Sequence, residues 1–315
     1  MANKIVLIGR SGVGKTSIKK AIFEGVLPDN LILFPLEPTH GINTSIYSWL
    51  DLELGVFDTA GQELTYLLEH EDEHKNLFSN SDVFIYIFDY LLWVDQPEEL
   101  LEEILKIFNI INQNGNMGKL ILFFHKIDQI NQKIKGKFRL ISDEIKNRLA
   151  LPIEFKIFFT SLHPNQIYRT YNAFFEVLSD LSPETANIKN IIDTVIEKHS
   201  KTIFFVTNQF NNIIVQAMTK DFDTNLISYL HERIAHMDHT TEELNEIYNN
   251  VFLIDSGFKM LSIILSNLEQ ITPNIKNLTC VSEIHDVDTL TGLMNNLKEY
   301  LRNFYNSKRN KSLDL

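Results

Sequence analysis

Lys4-Ile5-Val6-Leu7-Ile8-Gly9-Arg10-Ser11-Gly12-Val13-Gly14-Lys15-Thr16-Ser17-Ile18-Lys19-Lys20-Ala21-Ile22-Phe23 runs from a continuous apolar stretch, through a glycine-rich turn, into a segment of helical period. A Gly, four residues, then Gly-Lys-Ser/Thr between a strand and a helix is the phosphate-loop pattern. Its glycines allow backbone angles that turn successive N–H groups toward phosphate oxygens. The helix beginning at Lys15 aims its partial positive end at the same anion. The expected phosphate contacts are Arg10, Ser11, Gly12, Val13, Gly14, Lys15, Thr16 and Ser17. Among these, Lys15 reaches the β- and γ-phosphates and the Thr16 hydroxyl coordinates Mg²⁺. The competing reading is a glycine turn before an ordinary helix.

Outward from this loop, apolar runs of strand length alternate with helical segments as far as residue 182. Residues 4–9, 51–58, 83–89, 119–125 and 153–160 read as strands buried on both faces, because their apolar residues are continuous. Residues 15–24, 97–111, 138–149 and 165–181 read as helices, with Pro97 suited to a first turn. The fold class is α/β: a mostly parallel sheet covered by helices on both faces, with ligands at the carboxyl ends of its strands. At Ser182-Pro183-Glu184 the pattern stops. Beyond it come a helix (188–199), two strands (202–207, 212–218), an amphipathic stretch (222–248), three strands (251–255, 258–265, 278–282) and a last helix (287–305). This order is that of a compact α+β domain without a catalytic motif. Residues 306–315 are polar and expected to fray.

Three more stretches fall at strand ends. Asp58-Thr59-Ala60-Gly61-Gln62-Glu63 offers a carboxylate for magnesium through water and a Gly61 amide for the γ-phosphate. Gln62 is its catalytic candidate, able to orient an attacking water as both donor and acceptor. His125-Lys126-Ile127-Asp128 offers a carboxylate, Asp128, that can accept from N1–H and N2–H₂ of guanine while the Lys126 stem lies along the base. Adenine lacks both donors, so GTP is favoured over ATP. Thr160-Ser161-Leu162 lies where a backbone N–H reads guanine O6, with a capped helix start as the competing reading. Thr39 and Thr44 both lie where a threonine could sense the γ-phosphate through magnesium; the spacing and the Pro38-Thr39-His40-Gly41 setting select Thr39. The expected metal set is thus Thr16, Thr39 and, through water, Asp58.

Composition narrows the partners. The 41 acidic against 29 basic residues leave a net charge of −12, which argues against broad binding to nucleic acid or an anionic membrane surface. No apolar run reaches the ~20 residues of a spanning helix, and no membrane insertion is expected. No secretory leader is read at the start. Residue 2 is Ala2 rather than a myristoylatable glycine, and Ser312-Leu313-Asp314-Leu315 holds no prenylatable cysteine, so neither lipid anchor is expected. The single cysteine, Cys280, fits a reducing cytoplasm.

His-Lys-hydrophobic-Asp at residues 125–128 in place of Asn-Lys-x-Asp, Thr160-Ser161 before the last helix, and the run from Asn76-Leu77-Phe78 to Phe88-Asp89 resemble the Rag (Gtr) GTPases. The likeness implies a Ras-like GTPase domain over residues 1–182 and a roadblock/longin-like dimerisation domain over 188–308. It also implies GTP/GDP and Mg²⁺ as ligands, a homo- or heterodimer, a GTPase-activating protein, and a roadblock-type scaffold that places the protein peripherally on an endomembrane. The phosphate loop is similar to the A-type subunit, whereas Ser17 to Phe23 and Leu36-Glu37-Pro38-Thr39 are more similar to the C-type. The functional expectation is a slow GTP hydrolase whose output is conformation. Its rival is a scaffold that holds nucleotide as a structural pin.

Overall fold

The computed structural model describes residues 3–34, 36–37, 39–50, 52–61, 64–70, 75–113, 118–130, 137–209, 211–236, 250–256 and 259–313. Its contacts divide the chain into two compact units: Met1–Ser48 with Leu52–Ala173, and Trp49–Asp51 with Phe174–Leu315.

The first unit contains β1 (Asn3–Ile8), α1 (Lys15–Phe23), α2 (Pro28–Leu33), β2 (Ile42–Trp49, its last residue assigned to the second unit), β3 (Leu52–Thr59), α3 (Leu64–Glu69), α4 (Lys75–Phe78), β4 (Val83–Asp89), α5 (Tyr90–Asp95), α6 (Pro97–Gln113), β5 (Lys119–His125), α7 (Phe138–Leu149), β6 (Lys156–Phe159) and the start of α8 (Tyr168–Leu181), which passes into the second unit after Ala173. The six strands form one sheet in the order β2-β3-β1-β4-β5-β6. β1 runs parallel to both β3 and β4, and β5 runs parallel to β4 and β6. Parallel strands need crossovers, and the helices that make them cover both faces. β4, Val-Phe-Ile-Tyr-Ile-Phe-Asp, is buried along its first six residues, so it reads as a continuous apolar run without alternation. α6 turns Leu100, Leu101, Ile104, Ile107, Phe108 and Ile111 inward at helical spacing. Fully burying a side chain of this kind contributes about 1.5–3 kcal/mol. Phe88 stacks on Phe124 at 5.1 Å and Phe124 meets Phe159 edge-on at 5.3 Å, so aromatic contacts lock β4, β5 and β6 together on this face.

The second unit contains α9 (Pro183–Ile196), β7 (Thr202–Thr207), β8 (Ile213–Met218), α10 (Ile227–His236), β9 (Asn250–Asp255), β10 (Met260–Asn267), β11 (Asn277–Ser282) and α11 (Val287–Leu313). Its sheet, β8-β7-β11-β10-β9, is antiparallel throughout. α9 packs on β8 and on α11, which also lies against β10 and β11. The architecture is therefore the mostly parallel P-loop class followed by a sheet-containing α+β part, as the sequence pattern implies.

Several boundaries differ from the sequence expectation. The segment before β3 holds a strand, β2, and a short helix, α2, that the apolar pattern does not reveal. The strand expected at 153–160 is only Lys156–Phe159. Ser182-Pro183 starts a helix rather than ending a pattern: Ser182 Oγ accepts from Thr185 N at 2.8 Å and Pro183 occupies the first turn, where its missing N–H has no partner to lose. The expected fraying after 305 is also corrected, because α11 continues to Leu313. Of the amphipathic stretch at 222–248, Ile227–His236 is helix and residues 237–249 lie outside the described residues. No described helix is long and apolar enough to cross a membrane.

Candidate functional site

The carboxyl ends of β1, β3, β4 and β5 and the loop after β6 bring the sequence candidates around one cleft of about 570 Å³. Its floor is the turn from β1 into α1. Gly14 caps α1 at φ 102°, a left-handed conformation in which a side chain is strained. A Cβ there would also lie 3.0 Å from the His125 ring, so glycine is required twice over. Ser11, Gly12, Gly14, Lys15, Thr16 and Ser17 line the cleft, whereas Val13 is buried beneath it.

Lys15 is buried, and its Nζ donates to Gly9 O at 2.8 Å and Arg10 O at 3.0 Å. Burial lowers its pKa to about 8, a shift that the Asp58 carboxylate opposes. Arg10 contributes only backbone here. Its guanidinium turns to α6, where Nε donates to Glu103 Oε1 at 2.9 Å and Nη2 to Glu99 Oε2 at 3.1 Å.

Thr16 Oγ1 donates to Asp58 Oδ2 at 2.6 Å and lies 2.8 Å from Thr39 Oγ1. Three oxygens from three distant segments thus converge at the mouth of the phosphate loop. Asp58 is fully buried, and its Oδ1 has no hydrogen-bond partner among the described residues. An orphaned buried carboxylate oxygen beside two hydroxyls is an all-oxygen donor set that fits Mg²⁺. Two protein hydroxyls, with Asp58 reached through water, leave room for phosphate oxygens and further waters in an octahedral shell. Thr44, the alternative to Thr39, is an exposed residue of β2. Gly61 packs flush on the phosphate loop: a Cβ would lie 2.2 Å from Ser11 N and 2.4 Å from Arg10 C. Gln62 and Glu63 lie outside the described residues, as do Pro38 and residues 71–74.

On the far side of the cleft, His125 ends β5 fully buried, with Nδ1 2.9 Å from Thr160 Oγ1. Burial, helped by the neighbouring Lys126 cation, lowers its pKa to about 4, so the ring is neutral. Lys126 has φ 56°, and its Nζ spans the cleft to Gly12 O at 2.6 Å and pairs with Asp89 Oδ2 at 3.3 Å. Asp128 Oδ1 accepts from Ser161 Oγ at 2.5 Å. The Ser161 amide is engaged by Thr170 Oγ1 at 3.1 Å, and Leu162 lines the cleft beside Asp128.

Some contributors are not singled out by the sequence. Asp89 both pairs with Lys126 and caps α5, accepting from Leu92 N at 3.0 Å; an Asp between a strand and a helix was the available signal. Thr170, nine residues beyond Ser161, gives no local signal. Leu31, Ile32 and Leu36 add an apolar wall to the cleft.

The family described as the Gtr1/RagA G protein conserved region matches residues 4–247. The chain is 24% identical over 232 residues to Ras-related GTP-binding protein B of Rattus norvegicus, covering 65% of this chain and 61% of that one. It is 26% identical over 177 residues to Ras-related GTP-binding protein A of Dictyostelium discoideum, covering 55% and 56%. To GTP-binding protein GTR1 of Saccharomyces cerevisiae it is 22% identical over 303 residues, covering 90% and 92%. The chain therefore spans about three fifths of the length of the rat relative and nearly all of the yeast one.

Proposed function

The chain belongs to the Gtr1/RagA family of G proteins, and from that premise we propose that it is a magnesium-dependent guanine-nucleotide switch that hydrolyses GTP slowly and dimerises through its second unit. The observation that supports this most directly is the convergence of Thr16, Thr39 and Asp58 around an unpartnered carboxylate oxygen. Thr16 and Thr39 hydroxyls and, through water, the Asp58 carboxylate would hold Mg²⁺, which when bound neutralises charge on the β- and γ-phosphates. The amides of Gly12 to Thr16 and the start of α1 would cradle the phosphates, and Lys15 would exchange its carbonyl partners for phosphate oxygens. Asp128, oriented by Ser161, would accept from the two guanine donors, and the Leu162 amide would face O6. Gln62 is proposed to orient the attacking water.

No arginine projects into the cleft among the described residues, because Arg10 is tied to α6. A transition-state arginine supplied in trans can raise the rate by ~10³ to 10⁵, so an activating partner belongs to this proposal. Dimerisation through the α+β unit, a roadblock-type scaffold, an endomembrane position and signalling through switch conformation follow from the family likeness.

The test is to purify the full chain, identify released nucleotide by chromatography and determine its mass by light scattering, alongside Asp128→Asn. The expected result is a dimer carrying guanine nucleotide, with Asp128→Asn losing at least about 100-fold in GTP affinity and gaining xanthine nucleotides. Retained GTP affinity in that variant would sink the base-reading role. A monomer would refute self-association and point to a different partner subunit.

A further inference from the structure

We infer that Arg10 is a positioning residue that lets the phosphate loop distinguish GTP from GDP by bracing one peptide of the loop against α6; this rests on the guanine-nucleotide reading above. The guanidinium is held on every side. Nε and Nη2 donate to Glu103 Oε1 at 2.9 and 2.8 Å, Nη2 reaches Glu99 Oε2 at 3.1 Å, and Nη1 donates to Gln96 Oε1. Glu103 is fixed from behind by the Tyr86 hydroxyl of β4, which donates to its Oε2 at 2.5 Å. A cation beside the amino end of α6 opposes the helix dipole, so these carboxylates, rather than the helix end, hold it there. Arg10 is therefore braced to the β4–α6 frame by a planar fork that lysine cannot reproduce.

The braced peptide backs a group expected to read the γ-phosphate. Gly61 lies flat on the same peptide, with room for no Cβ against Arg10 C and Ser11 N. The amides of Gly12 to Thr16 and the start of α1, which would hold the β-phosphate, are not part of this contact. Loosening Arg10 should therefore weaken binding of a nucleotide with a γ-phosphate and spare GDP.

The experiment measures the affinity of the nucleotide-stripped full chain for GDP and for a non-hydrolysable GTP analogue, with single-turnover GTP hydrolysis. The proteins are wild type, Arg10→Ala, Arg10→Lys, Glu103→Gln and the double variant Arg10→Ala/Glu103→Gln. Expected is a loss of about tenfold for the GTP analogue with less than about threefold for GDP, in Arg10→Ala and Glu103→Gln alike. The double variant should be no worse than either single one, because both act through one contact, and Arg10→Lys should restore little. Should Arg10→Ala lose its cooperative melting transition, joint replacement of Gln96 and Glu99 by alanine leaves Glu103 in place and carries the same test. Equal losses for both nucleotides would overturn the proposal as a general folding effect. A fall in hydrolysis of about 10³ with analogue affinity unchanged would overturn it in favour of an arginine that touches the transition state. A wild-type chain that binds neither guanine nucleotide would overturn the switch reading itself, an outcome separate from any variant.

Discussion

Lys15 shows how much chemistry a single residue takes from its surroundings. Burial holds its pKa near 8, and a polyphosphate replacing Gly9 O and Arg10 O would raise it again by opposite charge. The sign follows from linkage. Above pH 8 the free protein has lost the proton and the complex retains it, so nucleotide binding takes up a proton. Affinity should then fall by about tenfold per pH unit above 8, until the raised pKa of the complex is reached. Titration calorimetry at pH 8.5 in buffers of different ionisation enthalpy measures this uptake. A binding heat independent of buffer would contradict it, and Lys15→Met should abolish the uptake along with most of the affinity. His125 next to the same loop behaves oppositely. It is kept neutral by burial and bonded to Thr160, so it is a packing and positioning group and carries no charge toward the phosphates.

At the scale of elements, the ends of α9 and α11 are joined by a buried acid. Glu184, in the first turn of α9, accepts from Tyr305 Oη at 2.5 Å and from Lys308 Nζ. Glu184 is almost fully buried, whereas the Lys308 side chain is 51% exposed, so the hydroxyl is the stronger support. Tyr305→Phe should cost on the order of 1–3 kcal/mol by leaving a buried carboxylate short of a donor. Lys308→Ala should cost less, because its charge is screened by water. Urea midpoints of the two variants check the order, and the reverse ranking would refute it. This contact also shows where sequence reading stops. The strands Val83–Asp89 and Lys119–His125 were legible because continuous burial writes a continuous apolar run. The phosphate loop was legible because its whole constraint lies within eight consecutive residues. β2 was not, since its described residues before Trp49 are partly or largely exposed and give the pattern nothing to follow. Nor were the Arg10–Glu103 brace and the Thr170 support of Ser161, because pairs 93 and 9 residues apart leave no mark at any fixed spacing. The Ser182-Pro183 start is ambiguous in the sequence because proline both ends helices and begins them, and only the Ser182 cap decides which.

Across the whole molecule, each unit buries one neutral histidine among its described residues, His125 in the first and His231 in the second. Burial lowers their pKa values to about 4 and about 3. His231 lies edge-on to Phe205, with Nε2 3.0 Å from Gln216 Oε1, in the sheet and helix core of its unit. Because the folded pKa values are depressed, the unfolded chain takes up these protons near pH 6.5 while the folded chain does not. Stability is therefore full above pH 6.5 and declines as pH falls toward 4 and 3, by about 2 kcal/mol per histidine at pH 5. Bound nucleotide would add RT ln(1 + [L]/Kd) to the first unit only, which would offset the His125 contribution there and leave the second unit to set the acid sensitivity of the loaded protein. Urea unfolding at pH 7 and pH 5 with saturating GDP–Mg²⁺ should then show a pH dependence that His231→Gln removes in large part and His125→Asn does not. If His125→Asn flattened the curve and His231→Gln left it steep, the first unit would be the acid-labile one even when loaded.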